Sequence, residues 1–287
     1  MKIKIKEGKF ERKFKNISSY DVKMYLCKKN IMIYLAFLDI LGYSKIVEKN
    51  THEKLIKIFD DAIAAILLGL SQNSLVTINN KTQIDISKIP VHCKIISDSI
   101  ILWTDDSKED TLIKLIISTK LIMKYCFQLG LPLRGCLSKG NLTRNNKFVN
   151  SQMFDCDVLL GDALVQAYKN EQKQKWSGCV IENECMHGQT IINILSLLGM
   201  FTKYNVPYEN DEKRENYVIN WVHGQNHSYL TEEYVRKKFS EYNKTTNDEV
   251  EIKIQNTLDF IKFAKEQTIL TSEELVRLFN EQKNKCS

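Results

Sequence analysis

Proline and glycine are scarce in this chain, 3 and 11 of 287 residues. So little of either leaves no material for long flexible linkers and excludes collagen-like or low-complexity organisation. Long apolar runs are missing as well. The longest, Ala62–Leu70, is nine residues and follows Asp60-Asp61, far short of the roughly 20 needed to cross a bilayer. The eight cysteines (27, 93, 126, 136, 156, 179, 185 and 286) include no C-x-x-C pair, so they read as reduced core residues and not as a zinc or disulfide framework. A strong charge of one sign is also absent. The formal charge of +6 is concentrated in Lys2, Lys4, Lys6, Lys9, Arg12, Lys13 and Lys15. The interior has no basic stripe interleaved with aromatics, so nucleic acid is not an expected partner, a solvated or salt-sensitive tail over residues 1–16 aside. That tail has no apolar run and no small-residue cleavage site, which places the chain in the cytoplasm.

What is present is ordinary globular material, 43% hydrophobic and 26% charged, enough for one large domain or a core with an extension. Ile31–Leu38 is a continuous apolar run rich in β-branched and aromatic residues, the pattern of a buried central strand. A helical stripe (Leu55, Phe59, Ala62, Ile66, Leu70) follows, with Thr51 as its N-cap. Past the polar stretch 71–88, Val91–Ile96 and Ser99–Trp103 are separated only by Ser97-Asp98, the length of a hairpin turn. A second helix over 110–130 ends at Gly130, a strand runs from Leu131 to Gly140, a helix spans Asp162–Gln174, and Cys179–Ile181 is a short strand. The order is βαββαβ, and the class is α+β: a ferredoxin-like core whose antiparallel sheet carries helices on one face. Three segments are expected: a basic extension over 1–29, a core over 30–185, and a mainly helical extension over 186–287. The last of these holds a strand-like Tyr217–Val222 and a capping box at Thr271–Glu274.

Two aspartates are out of place in this pattern. Asp39 ends an apolar run and Asp98 sits between two others. An unpaired carboxylate beside a core costs several kcal/mol, so each needs a partner. If the first strand pairs with the hairpin, both carboxylates lie at neighbouring strand ends. Hard oxygen ligands in that arrangement suit Mg²⁺ or Mn²⁺. The alternative is that Asp98 is a plain turn residue and Asp39 the N-cap of the following helix. The junction Asp39–Ser44, with Gly42 and Tyr43 at its centre, offers helix N–H groups to phosphate, although it is no Walker motif.

Taken in series, four segments resemble the class III nucleotidyl cyclase catalytic fold. They are Ala36–Ser44 (AFLDILGYS), Lys94–Ser99 (KIISDS), Leu133–Gly140 (LRGCLSKG) and Gly161–Glu171 (GDALVQAYKNE). The resemblance implies a reaction in which the ribose 3′-hydroxyl of a nucleoside triphosphate attacks its own α-phosphorus and expels pyrophosphate, assisted by two divalent cations, Mn²⁺ or Mg²⁺. It implies that Asp39, Asp98 and the Ile40 carbonyl hold the metals, and that Gly42, Tyr43 and Lys94 contact substrate; Arg134, on a strand, either contacts the base or triphosphate or pairs with a carboxylate at the dimer interface. A homodimer with sites at a head-to-tail interface is implied too. Departures accompany it. Val165 stands at the family's transition-state Asn, and Lys169 at its Arg. Val158 stands where an adenine-reading aspartate is expected, with Asp157 one place off, and Ser97 replaces the glycine before the hairpin aspartate. With Val218–Trp221 (VINW), these features look most like the pyrimidine cyclases of bacterial Pycsar antiphage systems. That family makes cyclic UMP or cyclic CMP from UTP or CTP, and the product acts on a separate cyclic-nucleotide-sensing effector. A purine cyclase reading ATP through Lys94 and a degenerate nucleotide-binding scaffold remain open.

Overall fold

A computed structural model describes residues 4–6, 9–11, 31–71, 74–78, 81–85, 88–145, 158–186, 189–225, 229–267, 273, 274 and 277. Cys27, Cys156, Cys286, Asp157, Thr271 and most of the basic tail lie outside them. In chain order the elements are β1 (Lys4–Lys6), β2 (Lys9–Glu11), β3 (Ile31–Ile40), α1 (Tyr43–Lys49), α2 (His52–Ser71), β4 (Leu75–Ile78), β5 (Lys81–Ile84), β6 (His92–Ile96) and β7 (Ser99–Trp103). There follow α3 (Glu109–Gln128), β8 (Leu133–Asn145), β9 (Val158–Leu160), α4 (Asp162–Gln172), β10 (Cys179–Ile181), α5 (Gln189–Leu197), β11 (Phe201–Pro207), β12 (Lys213–Ile219), α6 (Glu232–Ser240) and α7 (Asp248–Lys265). The fold is α+β, and β3–α2–β6–β7–α3–β8 reproduces the expected alternation.

The main sheet runs in the order β11-β12-β10-β8-β3-β7-β6, with β9 paired to β8. Ile33–Leu38 of β3 are all buried, so this strand is covered on both faces. Consecutive apolar residues leave it no wet side, and the expectation of helices on one face only is corrected here. Residues opposite one another in an antiparallel pair share a face. Phe37 with Cys136 and Asp39 with Arg134 therefore define one face. That face belongs to α4: the Phe37 and Tyr168 rings meet edge-on with centroids 5.5 Å apart, and Ser138 Oγ donates to the Ala163 carbonyl at 2.7 Å. Tyr34, Ala36 and Leu38 are buried on the other, and α3 also packs on β3, β7 and β8. All sheet pairs are antiparallel except β8 with β10, the parallel pair that a strand–α4–strand crossover produces.

Local signals account for the ends of the elements. Thr51 Oγ1 accepts from the Lys54 N–H at 3.4 Å at the start of α2. Gly130 closes α3 with φ of 80°, its N–H on the Phe127 carbonyl and that of Leu131 on Cys126. Five of the expected core thiols, at 93, 126, 136, 179 and 185, are free. The polar stretch 71–88, to which no element was assigned from the sequence, holds the β4–β5 hairpin. Beyond residue 186, β12 pairs with β10, so the sheet runs on past the expected boundary. Aromatics dock α6, α7 and the turn after β12: Phe239 of α6 lies 6.4 Å and Trp221 4.7 Å from Phe127 of α3, and Phe260 of α7 lies 4.9 Å from Trp176 (centroid distances). No helix among the described residues is long and apolar enough to cross a membrane.

The β6–β7 turn forms as expected, with Ser97 at φ of 57°. A residue with a Cβ loses roughly 1–2 kcal/mol in this left-handed region, part of which glycine would recover. Ser97→Gly is therefore expected to raise stability by about 0.5–1 kcal/mol, read as a higher urea midpoint. A lower midpoint would contradict the turn geometry.

Candidate functional site

The site is built where β3 ends beside the β6–β7 turn. Asp39 lies within β3, opposite Ser99 on β7 and Arg134 on β8. The Ile40 N–H donates to the Asp98 carbonyl at 3.1 Å, and the Leu41 N–H to the Pro132 carbonyl at 2.9 Å. These bonds fix the junction on both sides. The cap of α1 is Gly42, not Asp39, which removes the capping explanation for Asp39. Asp98 is a turn residue, yet its carboxylate is near enough to Asp39 for its charge to act there.

The charges at this point do not balance. Burial first, then the Glu171 and Asp98 charges, push the Asp39 pKa up to about 7, against a lowering contribution from Arg134. Arg134 Nη2 lies 3.9 Å from Asp39 Oδ2, but its Nε donates to Glu171 Oε1 and its Nη1 to the Gln174 carbonyl at 3.0 Å. Glu171 is 1% exposed, and burial raises its pKa despite the arginine. Arg134 thus lies between the Asp39 and Glu171 carboxylates, and its short contact is with Glu171. Asp39, buried beside the Glu171 and Asp98 charges, holds its proton, as a carboxyl does among like charges when no cation separates them.

The donor set fits a divalent cation. Two carboxylates and the neighbouring Ile40 carbonyl are hard oxygens suited to Mg²⁺ or Mn²⁺, which keep several positions for water and phosphate. No group of three or more His, Cys, Asp or Glu side chains among the described residues could enclose a metal unaided.

The expected site residues divide into those brought together and those kept apart. Asp39, Ile40, Asp98 and Arg134 converge, with Gly42 next along the chain. Tyr43 turns its ring onto Phe59, with centroids 5.7 Å apart, and docks α1 on α2. Lys94 pairs with Ile101, which pairs with Phe37. It therefore lies on the Asp39 face but two strand spacings away, about 10 Å. Lys169 does not reach the pair. Ala163, Ala167 and Glu171 form the buried stripe of α4, whereas Lys169 is about 200° around the helix from Glu171 and exposed beside Val165. Glu171 and Gln174, which hold Arg134, were not singled out from the sequence. The spacing 163, 167, 171 is the signal that marks Glu171 as inward.

No protein-family model and no curated protein matches the chain. Among solved structures it is similar to the adenylyl cyclase CyaB from P. aeruginosa, at 12% identity over 66% of this chain and 93% of that one, with a TM-score of 0.43. It is similar to the guanylyl cyclase Cya2, at 11% over 66% and 90%, TM-score 0.43. The non-canonical dimeric guanylyl cyclase domain of the RhoGC fusion protein from the aquatic fungus Blastocladiella emersonii gives 13% over 66% and 96%, TM-score 0.45. Likenesses at this level assign no activity by themselves.

The raised Asp39 pKa has a sign that can be checked. The folded, metal-free chain holds this proton up to pH about 7, whereas an unfolded aspartate holds it only to about 4. Wild type therefore loses stability as pH rises from about 4 to about 7, by at most about 1.4 kcal/mol per pH unit, and no further above. Asp39→Asn lacks this loss. Its thermal midpoint in EDTA should exceed the wild type's by a margin that grows over that interval and then levels off. A margin that stays constant with pH would contradict the buried carboxylate pair.

Proposed function

We propose that the chain is a nucleotide cyclase that converts a pyrimidine nucleoside triphosphate, UTP or CTP, to its 3′,5′-cyclic nucleotide and pyrophosphate. The observation that carries this reading is the Asp39–Asp98 pair, one carboxyl at the end of β3 and the other in the adjoining β6–β7 turn, with burial and the neighbouring carboxylates raising the Asp39 pKa to about 7. Asp39, Asp98 and the Ile40 carbonyl would hold the metal. A bound divalent cation supplies Lewis-acid activation of the ribose 3′-hydroxyl and neutralises charge at the leaving pyrophosphate. The chain's own contributions are positional. Arg134, clamped by Glu171 and Gln174, keeps a fixed positive charge beside Asp39. Gly42 takes the left-handed backbone, φ 79°, that turns the chain from β3 into α1 beside Asp39.

The outward face of α4 supports a homodimer with shared sites. Lys169 cannot act on its own chain's Asp39 from the opposite side of the helix, so it would serve the site of a second copy. Exposed apolar residues accompany it: Val165 and Tyr168 of α4 are 50% and 44% exposed, and Leu160 just before the helix is 55% exposed. The pyrimidine preference is supported by Val158, an apolar side chain at the position of the adenine-reading aspartate. In this reading the product is a second messenger for an antiphage effector encoded apart from this chain. A purine substrate read through Lys94, which lies on the Asp39 face, is the second reading.

Incubation with each of the four NTPs and Mn²⁺ is expected to give cyclic UMP or cyclic CMP. Cyclic AMP or cyclic GMP alone would select the purine reading, and no pyrophosphate from any NTP would reject catalysis. Asp39→Ala or Asp98→Ala should leave less than a few per cent of turnover, about a hundredfold loss. Mixing Asp98→Ala chains with Lys169→Ala chains, each inactive alone, should restore up to about a quarter of wild-type turnover, since half of randomly paired dimers carry one intact site of two. No recovery would place the whole site within one chain.

A further inference from the structure

The C-terminal segment reaches the back of the junction that carries Asp39. The 3-10 turn Glu241–Asn243 and the following Lys244 touch both loops that flank the junction. Tyr242 OH donates to the Leu129 carbonyl at 2.5 Å. Lys244 Nζ donates to the Gly130 carbonyl at 2.7 Å and to that of Lys238 at 3.3 Å. Gly130 leads through Leu131 to Pro132, whose carbonyl holds the Leu41 N–H. On the other side, the Lys244 stem passes so close to Gly42 that a Cβ there would lie 2.9 Å from Lys244 Cδ. Asn50, just after α1, donates to the Tyr242 carbonyl at 2.7 Å, and Asn243 donates to the Lys49 carbonyl at 3.3 Å. The turn is unusual in itself: Tyr242 and Asn243 both have left-handed backbones, φ 61° and 62°. Two consecutive non-glycine residues held this way persist only where surrounding contacts impose the conformation.

Lys244 is 8% exposed, and burial pulls its pKa down to about 7. A lysine that only packed a surface would keep its ammonium in water. We propose that Lys244 is a positioning residue, through which the C-terminal segment braces the Leu41–Gly42 junction and so sets the Asp39–Asp98 geometry. The role in turnover rests on reading those aspartates as the metal site; the brace does not.

The test is hydrogen exchange in wild type, Lys244→Met and Tyr242→Phe, combined with steady-state kinetics on the NTP that wild type turns over. Lys244→Met keeps the unbranched stem and removes the ammonium. Loss of one buried charge-assisted bond should speed exchange of the amides at 41–46 by about tenfold or more. The amides of β3 and β7 should keep their protection, and kcat should fall more than KM changes. Tyr242→Phe should act in the same direction with a smaller effect, and it decides the matter if Lys244→Met does not fold. Unchanged exchange at 41–46 would overturn the brace. So would an equal rise throughout β3 and β7, which would mark a merely global loss of stability. If wild type cyclises no NTP, the cyclase reading fails, and the exchange data still decide the brace.

Discussion

The juxtaposition of the Asp39 and Asp98 carboxyls is the constraint on which the rest of the site depends. It requires two acidic side chains to meet at the edge of a core that would exclude either alone. Three long-range arrangements make that possible. The β3–β7 register sets Asp39 opposite Ser99. The Ile40 N–H ties β3 to the Asp98 carbonyl, and Arg134 places a positive charge within 3.9 Å. The guanidinium is itself committed to a buried glutamate, so it offsets the carboxylate pair only in part. What remains is a carboxyl held protonated by burial and like charges at a fixed place, which the proposed cation would relieve.

Much of this was legible in the sequence because it depends on local pattern. The apolar run of β3, the two-residue spacing of the β6–β7 hairpin, the stripes of α2 and α3, and the oddity of Asp39 and Asp98 all follow from periodicity and desolvation. Where tertiary context decides, the pattern was silent. The β4–β5 hairpin carries Lys81, Thr82 and Gln83 and so reads as polar loop. The strand β11 has the mixed sequence FTKYNVP, and it forms because β12 offers it a full antiparallel partner. Lys169 drew attention through resemblance, while Glu171, two residues on, is the residue that faces the site. Helical geometry separates them, and nothing in their spacing from Asp39 does. Lys244 gave no signal at all, because its partners Gly42 and Gly130 are more than 100 residues away in the chain.

The same geometry links the site to the parts of the chain outside the βαββαβ pattern. The Arg134 acceptor Gln174 is tied to Gly135 and Trp176, and the Ser177 N–H donates to Thr257 of α7 at 2.9 Å. On the other side, Tyr242 and Lys244 reach the loops that flank Leu41 and Gly42. The C-terminal segment therefore touches the supports of both Arg134 and Asp39, so a change in its packing reaches both the charge and the backbone of the site.

The most direct measurement is Mn²⁺ binding followed by electron spin resonance, with a 3′-deoxynucleoside triphosphate that cannot cyclise. If the carboxylate pair is a cation site, wild type converts the free Mn²⁺ signal to a bound one, and both Asp39→Ala and Asp98→Ala, folded, fail to do so beyond what the nucleotide binds alone. Equal Mn²⁺ binding by wild type and either variant would contradict the account at its centre.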